Sequence, residues 1–251
     1  QSVLYRQRDG DEPVIFLDPN NFSEDGTTSL SAVYFSNDGS LMTYLISEGG
    51  SDWRTAITID TESQKEVSAR LSNIKFSSIS WLENKGFYYS SYDKPDGSEL
   101  SAKTDQHKLY FHTLGTVQKE DNVIFGGTEQ QKYRYVSATV SEDNQYLLID
   151  AANSTSGNKL YLRDLSRAES PLVTILGDTS SDTALLDSNG KTLLLETNYQ
   201  APNKRIVKVD VDNPSPEHWQ DLIPESQNVL DAVTGAGYIF AKYMIDASSH
   251  V

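Results

Sequence analysis

Serine, histidine and acidic side chains are the groups through which this 251-residue chain could do hydrolytic chemistry; with no cysteine, thiolate catalysis, thiolate metal sites and disulfides are excluded. A serine hydrolase needs a hydroxyl, an imidazole within reach to take its proton, and a carboxylate to orient the imidazole. In an α/β-hydrolase the hydroxyl sits in a Gly-x-Ser-x-Gly elbow, and no stretch of the chain has that form. The nearest approach, Gly49-Gly50-Ser51-Asp52-Trp53, lacks the second glycine after Ser51 and lies between two alternating runs, so it reads as a turn between strands. The four histidines are His107, His112, His218 and His250, and none of their spacings is the helical i, i+4 of a zinc peptidase. His112 alternates onto the face opposite Leu109 and Phe111, which assigns it to packing or to a hydrogen bond at a sheet edge. Asp93, Asp96 and Glu99 surround Gly97, but the twelve-residue calcium-loop pattern is missing, so they read as solvated turn carboxylates. Asn21-Phe22-Ser23 and Asn153-Ser154-Thr155 are glycosylation sequons only in a secretory eukaryotic setting, which nothing in the sequence supports. No phosphate loop appears. The chain alone is expected to have no peptidase activity, no metal and no cofactor.

The elements that carry these residues belong to an acidic protein. The 21 basic and 36 acidic residues leave a formal charge of −15, which repels phosphate backbones and disfavours nucleic acid as a partner. No apolar run approaches the ~18 residues of a membrane-spanning helix, so no membrane is expected as a partner. The opening QSVLYRQRDGDEP is not a signal peptide; it reads as a strand and a turn. The lack of an initial methionine fits a fragment or a processed product.

A repeat of about fifty residues organises the chain. One short alternating run ends in a polar turn at Arg8, Asp60, Thr113, Asp164 and Asp210, as in Ala56-Ile57-Thr58-Ile59-Asp60 and Leu160-Tyr161-Leu162-Arg163-Asp164. In phase with it comes a strand, a turn rich in Asn, Asp and Gly, and a second strand: AVYFSNDGSLMTYLIS, SISWLENKGFYYSSY, SATVSEDNQYLLIDA, ALLDSNGKTLLLET and DAVTGAGYIFAKYM. Asn37-Asp38-Gly39 and Ser188-Asn189-Gly190 are hairpin turns, because glycine accepts positive φ. A third marker, PVIFLD, KEVSARL, NVIFGG, PLVTILG and WQDLIP, reads as a short edge strand. Helical periodicity is scarce, with room for one turn between Pro214 and Gln220. Four strands per fifty residues predict an all-β fold, an incomplete β-propeller of about five four-stranded blades. The competing all-β sandwich would not return the same four-strand order at nearly constant spacing. The chain opens on a third strand and stops after a second strand, so residues 1–251 are expected to form one propeller fragment: a partial first blade, four full repeats and a partial last blade.

Several stretches closely resemble the prolyl oligopeptidases, serine peptidase family S9: SEGGSDWRTAITIDTES, NIKFSSISWLENKGFYYSSYDKPDG, the run from Ile15 to Asn20 and, most specifically, HKLYFHTLGTVQKEDNVIF. The resemblance is colinear over essentially the whole chain and strongest over 1–165. It implies a seven-bladed parent propeller that caps the site of an α/β-hydrolase domain, admits only short peptides and lets that domain's Ser-His-Asp triad cleave after proline, with no cofactor. Of seven blades about five are covered, and the hydrolase domain is absent. The implied partners are that hydrolase domain of the same protein and short proline-containing peptides. Phe76, in Ile74-Lys75-Phe76-Ser77, stands where the family has a pocket-lining phenylalanine; a plain core residue is the other reading. Tyr135 and Ser154 match pocket positions that hold a methionine and a small residue in the family, and rim packing or turn shaping is the alternative for each. Asp52 matches an interface aspartate that pairs with an arginine of the hydrolase domain. The polar stretch from Tyr92 to His107 matches a loop at the domain interface and is expected to gate substrate entry and to be mobile alone. A stand-alone propeller acting as a protein- or peptide-binding scaffold is the alternative function. A related peptidase such as oligopeptidase B shares the architecture but not the HKLYFHTLGT run. The family occurs in cytoplasm and in some bacterial periplasms, so the compartment stays undecided.

Overall fold

The computed structural model describes residues 1–93 and 104–251. Among them are β-strands and single 3₁₀ turns, and no α-helix. The strands form six antiparallel sheets, each from consecutive segments: four of four strands, one of two and one of three. Successive small antiparallel sheets of this kind are the blades of an incomplete β-propeller. The chain separates into two compact units, residues 1–103 with 108–125, and residues 104–107 with 126–251.

The first unit holds β1 (Leu4–Arg6) paired with β2 (Val14–Leu17), then a sheet of β3 (Thr28–Phe35), β4 (Leu41–Glu48), β5 (Trp53–Asp60) and β6 (Leu71–Lys75), and a sheet of β7 (Ser80–Leu82), β8 (Gly86–Ser91), β9 (Lys108–Thr113) and β10 (Asn122–Gly126). The predicted turns are built as expected. Gly39 has φ +71°, and the Asp38 carboxylate beside it takes the Ser40 N–H at 3.0 Å and the Ser36 and Ser40 hydroxyls at 2.8 Å. Those donors, the Ser40 N–H first, hold the Asp38 carboxyl well below the usual carboxylate range. β4 is buried on both faces over its first seven residues, because neighbouring blades pack on each side of it. On one side Leu45, Ala56 and Ile74 meet Trp81, Phe87 and Tyr89 of the next blade; on the other Met42, Ile57 and Ile59 meet Phe16. Trp81 Nε1 also donates to the Tyr34 carbonyl at 3.2 Å, giving a buried indole its partner across the blade joint.

The second unit repeats the plan with β11 (Tyr135–Val140), β12 (Tyr146–Ala152), β13 (Lys159–Asp164) and β14 (Val173–Leu176), then β15 (Thr183–Asn189), β16 (Thr192–Thr197), β17 (Arg205–Asp210) and β18 (Gln220–Ile223), then β19 (Leu230–Gly235), β20 (Tyr238–Ile245) and β21 (Ser248–His250). Period-two burial is plain in β16, where Leu193, Leu195 and Thr197 point inward and their neighbours are half-exposed. Its core joins Leu148, Leu160 and Leu162 to Leu193, Leu195 and Val207. Asn158 stitches the two blades together: its amide donates to the Thr183 carbonyl at 2.9 Å and accepts the Thr183 N–H at 2.8 Å.

Two expectations are corrected. The outer strand of the β3–β6 blade is Leu71–Lys75, which shares only Leu71 with KEVSARL; the residues before Leu71 meet β5 outside the strand, through an isolated bridge from Glu66 to Ile59 and a Val67 N–H that donates to the Thr58 carbonyl at 3.0 Å. Leu71 and Ile74 are the residues buried there, whereas Val67 is exposed, so the ladder forms where apolar area can be covered. The last blade also has a third strand: Ser248–His250 pairs with Tyr243–Ile245, because Asp246 and Ala247 both take positive φ (47° and 60°) and close a two-residue hairpin. The single helical turn expected between Pro214 and Gln220 is the 3₁₀ turn Pro216–His218.

Candidate functional site

Phe76 follows directly on β6 and sits at φ +52°, a left-handed conformation that a bulky residue rarely takes. The residue is 46% exposed, so it is not a core residue. The backbone around it is fastened: Asn73, also at positive φ, has its carbonyl taken by the Ser91 hydroxyl, and the Ser77 hydroxyl accepts the Ser90 N–H at 2.7 Å. Beneath the ring lies Lys75, paired across the ladder with Trp53. Its ammonium stands 5.1 Å from the centroids of both Trp53 and Phe76, and the Asp52 carboxylate is 4.0 Å away. Tyr92, itself buried, meets Phe76 edge to face at 6.3 Å. Asp52 and Phe76 are thus joined through one lysine held between two aromatic rings, a geometry in which cation–π attraction fixes the ring faces.

Tyr135 and Ser154 lie in the second unit, at one end of the β11–β12 pair. Tyr135 opens β11 opposite Ala152, and Ser154 stands two residues beyond it in the turn that follows. The Ser154 hydroxyl is exposed and donates to the Ser156 carbonyl at 2.6 Å. The Asn153 side chain accepts the Arg134 N–H at 3.2 Å, tying that turn back to the start of β11. Gly49 to Asp52 form the β4–β5 turn, with Gly49 and Gly50 at positive φ and the Ser47 hydroxyl donating to the Ser51 carbonyl at 2.7 Å. The polar stretch predicted to gate entry falls largely at 94–103, outside the described residues, and Asp96 and Glu99 lie there too. Asp93 is described, and both its carboxylate oxygens accept from Lys108 Nζ, at 2.6 and 2.7 Å.

A second cluster, in the first unit, escaped the sequence reading. His112 on β9 is fully buried. Its Nδ1 is 2.8 Å from Asp121 Oδ1, and its Nε2 is 3.2 Å from the Ser68 hydroxyl. The Tyr89 hydroxyl donates to the other Asp121 oxygen at 2.8 Å. Burial, together with that carboxylate, pushes the Tyr89 phenol far above its ordinary range and keeps it a donor. Gly115 N–H points at Ser68 Oγ from 3.3 Å. His112 and Asp121 both stand in the run HKLYFHTLGTVQKED; Ser68 carries no local signal, lying 44 residues before His112. Among the described residues no group of three or more histidine and acidic side chains is arranged to hold a metal, and no helix is long and apolar enough to cross a membrane.

Comparison with known proteins is consistent along the whole chain. The family model described as the prolyl oligopeptidase N-terminal beta-propeller domain matches residues 1–251. Prolyl endopeptidases of Elizabethkingia meningoseptica and Elizabethkingia miricola are 49% and 48% identical over 252 residues; each match covers 100% of this chain and 36% of the relative. The chain therefore spans about a third of the length of these curated relatives. Among solved structures, prolyl oligopeptidase B from Galerina marginata bound to a 35mer hydrolysis and macrocyclization substrate superposes with a TM-score of 0.87 at 25% identity, covering 99% of this chain and 38% of that one. A prolyl endopeptidase from a structural and mechanistic study of inter-domain dynamics superposes at 0.84 with 29% identity, covering 96% and 34%.

Proposed function

The chain belongs to the family of the prolyl oligopeptidase N-terminal β-propeller, and we propose that it is the propeller of a serine peptidase that cleaves short peptides after proline. In this reading the propeller caps an α/β-hydrolase domain of the same protein and gates the entry of short peptides. Phe76, Tyr135 and Ser154 line the substrate pocket beyond the proline slot, and Asp52 faces the hydrolase domain. The observation that carries the reading is the family match over residues 1–251, joined to 49% identity with a prolyl endopeptidase. The exposed, backbone-fastened ring of Phe76 supports its assigned role, since an apolar face held in water gains by covering an apolar substrate side chain. Full burial of such a side chain is worth about 1.5–3 kcal/mol.

The test uses the full-length protein and a chromogenic peptide with proline before the reporter and a bulky apolar residue two positions earlier. The full-length protein should hydrolyse it, without loss on addition of a chelator. The 251-residue chain alone should not. Phe76→Ala should raise KM for the apolar peptide about tenfold, from roughly 1.4 kcal/mol of lost contact, and leave a glycine-substituted peptide nearly unchanged. Equal effects on both peptides would remove Phe76 from the pocket. Absence of proline-specific cleavage by the full-length protein would overturn the whole reading.

A further inference from the structure

We propose that Ser68 is a base-activated nucleophile that accepts an acyl group from small activated esters, through a hydrogen-bonded chain of Ser68, His112 and Asp121 that lies wholly within the first compact unit. The inference is independent of the peptidase reading, which assigns no role to these residues.

The direction of each hydrogen bond follows from its neighbours. Asp121 is buried and receives the Tyr89 O–H on Oδ2 at 2.8 Å. A carboxylate accepts only, so at Oδ1 it is His112 Nδ1 that carries the proton, at 2.8 Å. Neutral imidazole has one N–H, which leaves Nε2 with a bare lone pair. That lone pair faces the Ser68 hydroxyl at 3.2 Å, within the reach expected of a general base. A hydroxyl, a base and a group that orients the base in the correct tautomer are the three parts that activate a serine. Ser68 is partly exposed, on the connection between β5 and β6, whereas His112 and Asp121 behind it are shielded from water. A small reagent therefore meets the hydroxyl first. The Gly115 N–H at 3.3 Å holds the oxygen toward the imidazole.

In the step itself Ser68 Oγ attacks the ester carbonyl carbon and its proton passes to His112 Nε2. The new Oγ–C bond forms as the bond to the aryloxide breaks. The proton then moves from Nε2 to the departing aryloxide, giving acyl-Ser68 and a neutral phenol. Atoms and charge balance with no further reactant.

The experiment is exposure of the protein to p-nitrophenyl acetate, followed by peptide mapping by mass spectrometry, which separates Ser68 from every other serine, including any serine of a peptidase site. The internal reference is Ser154, an exposed serine whose hydroxyl faces only the backbone of its own turn. Ser68 should gain one acetyl group at least a hundredfold faster than Ser154. Ser68→Ala should abolish that adduct with the circular dichroism spectrum unchanged. Asp121→Asn, which lets Nε2 carry the proton instead, should slow the labelling by about 10²–10⁴-fold. Labelling of Ser68 at the Ser154 rate in the unaltered protein would overturn the proposal, without recourse to any variant that fails to fold. Labelling that is fast but indifferent to Asp121→Asn in a folded variant would overturn it as well.

Discussion

Asp150 on β12 shows how one side chain can set a pH dependence. Its Oδ1 accepts the Asn158 amide at 2.8 Å, and burial pushes its carboxyl up to about 7 from an ordinary value of 3.8. With the folded value raised, the folded state binds the proton more tightly than the unfolded chain does. Between about pH 4 and pH 7 the unfolded form has lost its proton and the folded form still holds it, so stability falls as pH rises through that window and the cost is complete above it. A full shift would be worth about 1.4 kcal/mol per unit, but Asp150 remains partly solvent-accessible, which screens the effect. Asp150→Asn keeps an oxygen toward Asn158 and removes the charge. It should stabilise the protein by about 1–2 kcal/mol at pH 8 and by almost nothing at pH 4. Urea titrations at both pH values measure this, and an unchanged midpoint at pH 8 would remove Asp150 from the account. At this scale the sequence is a partial guide. Asp52 and Phe76 stand in two separate stretches that the family resemblance marks, but the exposure of Phe76 and its link through Lys75 to Asp52 show only in the fold. The chain from Ser68 to Asp121 is invisible in the sequence, because its members come from three segments that meet only once β5, β6, β8 and β9 are paired.

Strands show a different limit. The alternating runs ending at Asp60, Thr113, Asp164 and Asp210 are the strands β5, β9, β13 and β17 to their last residue, because alternating residue types closed by a polar turn mark a strand and its end. Leu71–Lys75 and Ser248–His250 were harder to see. The former carries Asn73 at positive φ, and the latter has no apolar residue at all; backbone turns and edge pairing decide both. Gly86 is where an element depends on a missing side chain. It opens β8, and a Cβ there would stand 2.0 Å from the His112 carbonyl oxygen and 3.1 Å from the Phe111 ring. The obstacle is backbone of the paired strand, which cannot swing away as a side chain can. Gly86→Ala should therefore push β8 from β9 and cost about 3 kcal/mol, the upper end of the range for overpacking a tight interior. Denaturant unfolding gives the number, and amide exchange should show the loss first at Gly86 and Thr113, which face each other. A variant of unchanged stability would mean that the two strands are not held at this separation.

For the molecule as a whole, the blade period was legible because each sheet is built from consecutive strands, four of them in the complete repeats, so the pattern recurs along the chain without long-range crossing. The division into two compact units was not legible, since both units use the same repeat and no change of composition marks the step. Net charge is the property that the whole chain shares. With 36 acidic against 21 basic residues, the folded state concentrates a charge of −15 that the unfolded chain spreads out, and self-repulsion weakens folding at low ionic strength. Opposing this are surface ion pairs such as Lys191 with Asp212 and Arg205 with Asp221, each screened by the same salt. Exposed pairs of this kind contribute about 0–1 kcal/mol and often nothing measurable. Unbalanced charge should therefore win. At 0.1 M salt the screening length is about 10 Å, and at 0.01 M about 30 Å, comparable to a domain. Raising NaCl from 10 mM to 300 mM at pH 7 should relieve repulsion by about 1 kcal/mol and raise the melting temperature by roughly 2–4 °C for a chain of this size. Differential scanning calorimetry across that range is the measurement, with a chain made less negative by exposed Glu→Gln changes as the comparison. The less negative chain should start higher and respond less. A melting temperature that falls with salt would show that the ion pairs, not the net charge, dominate the electrostatics of the fold.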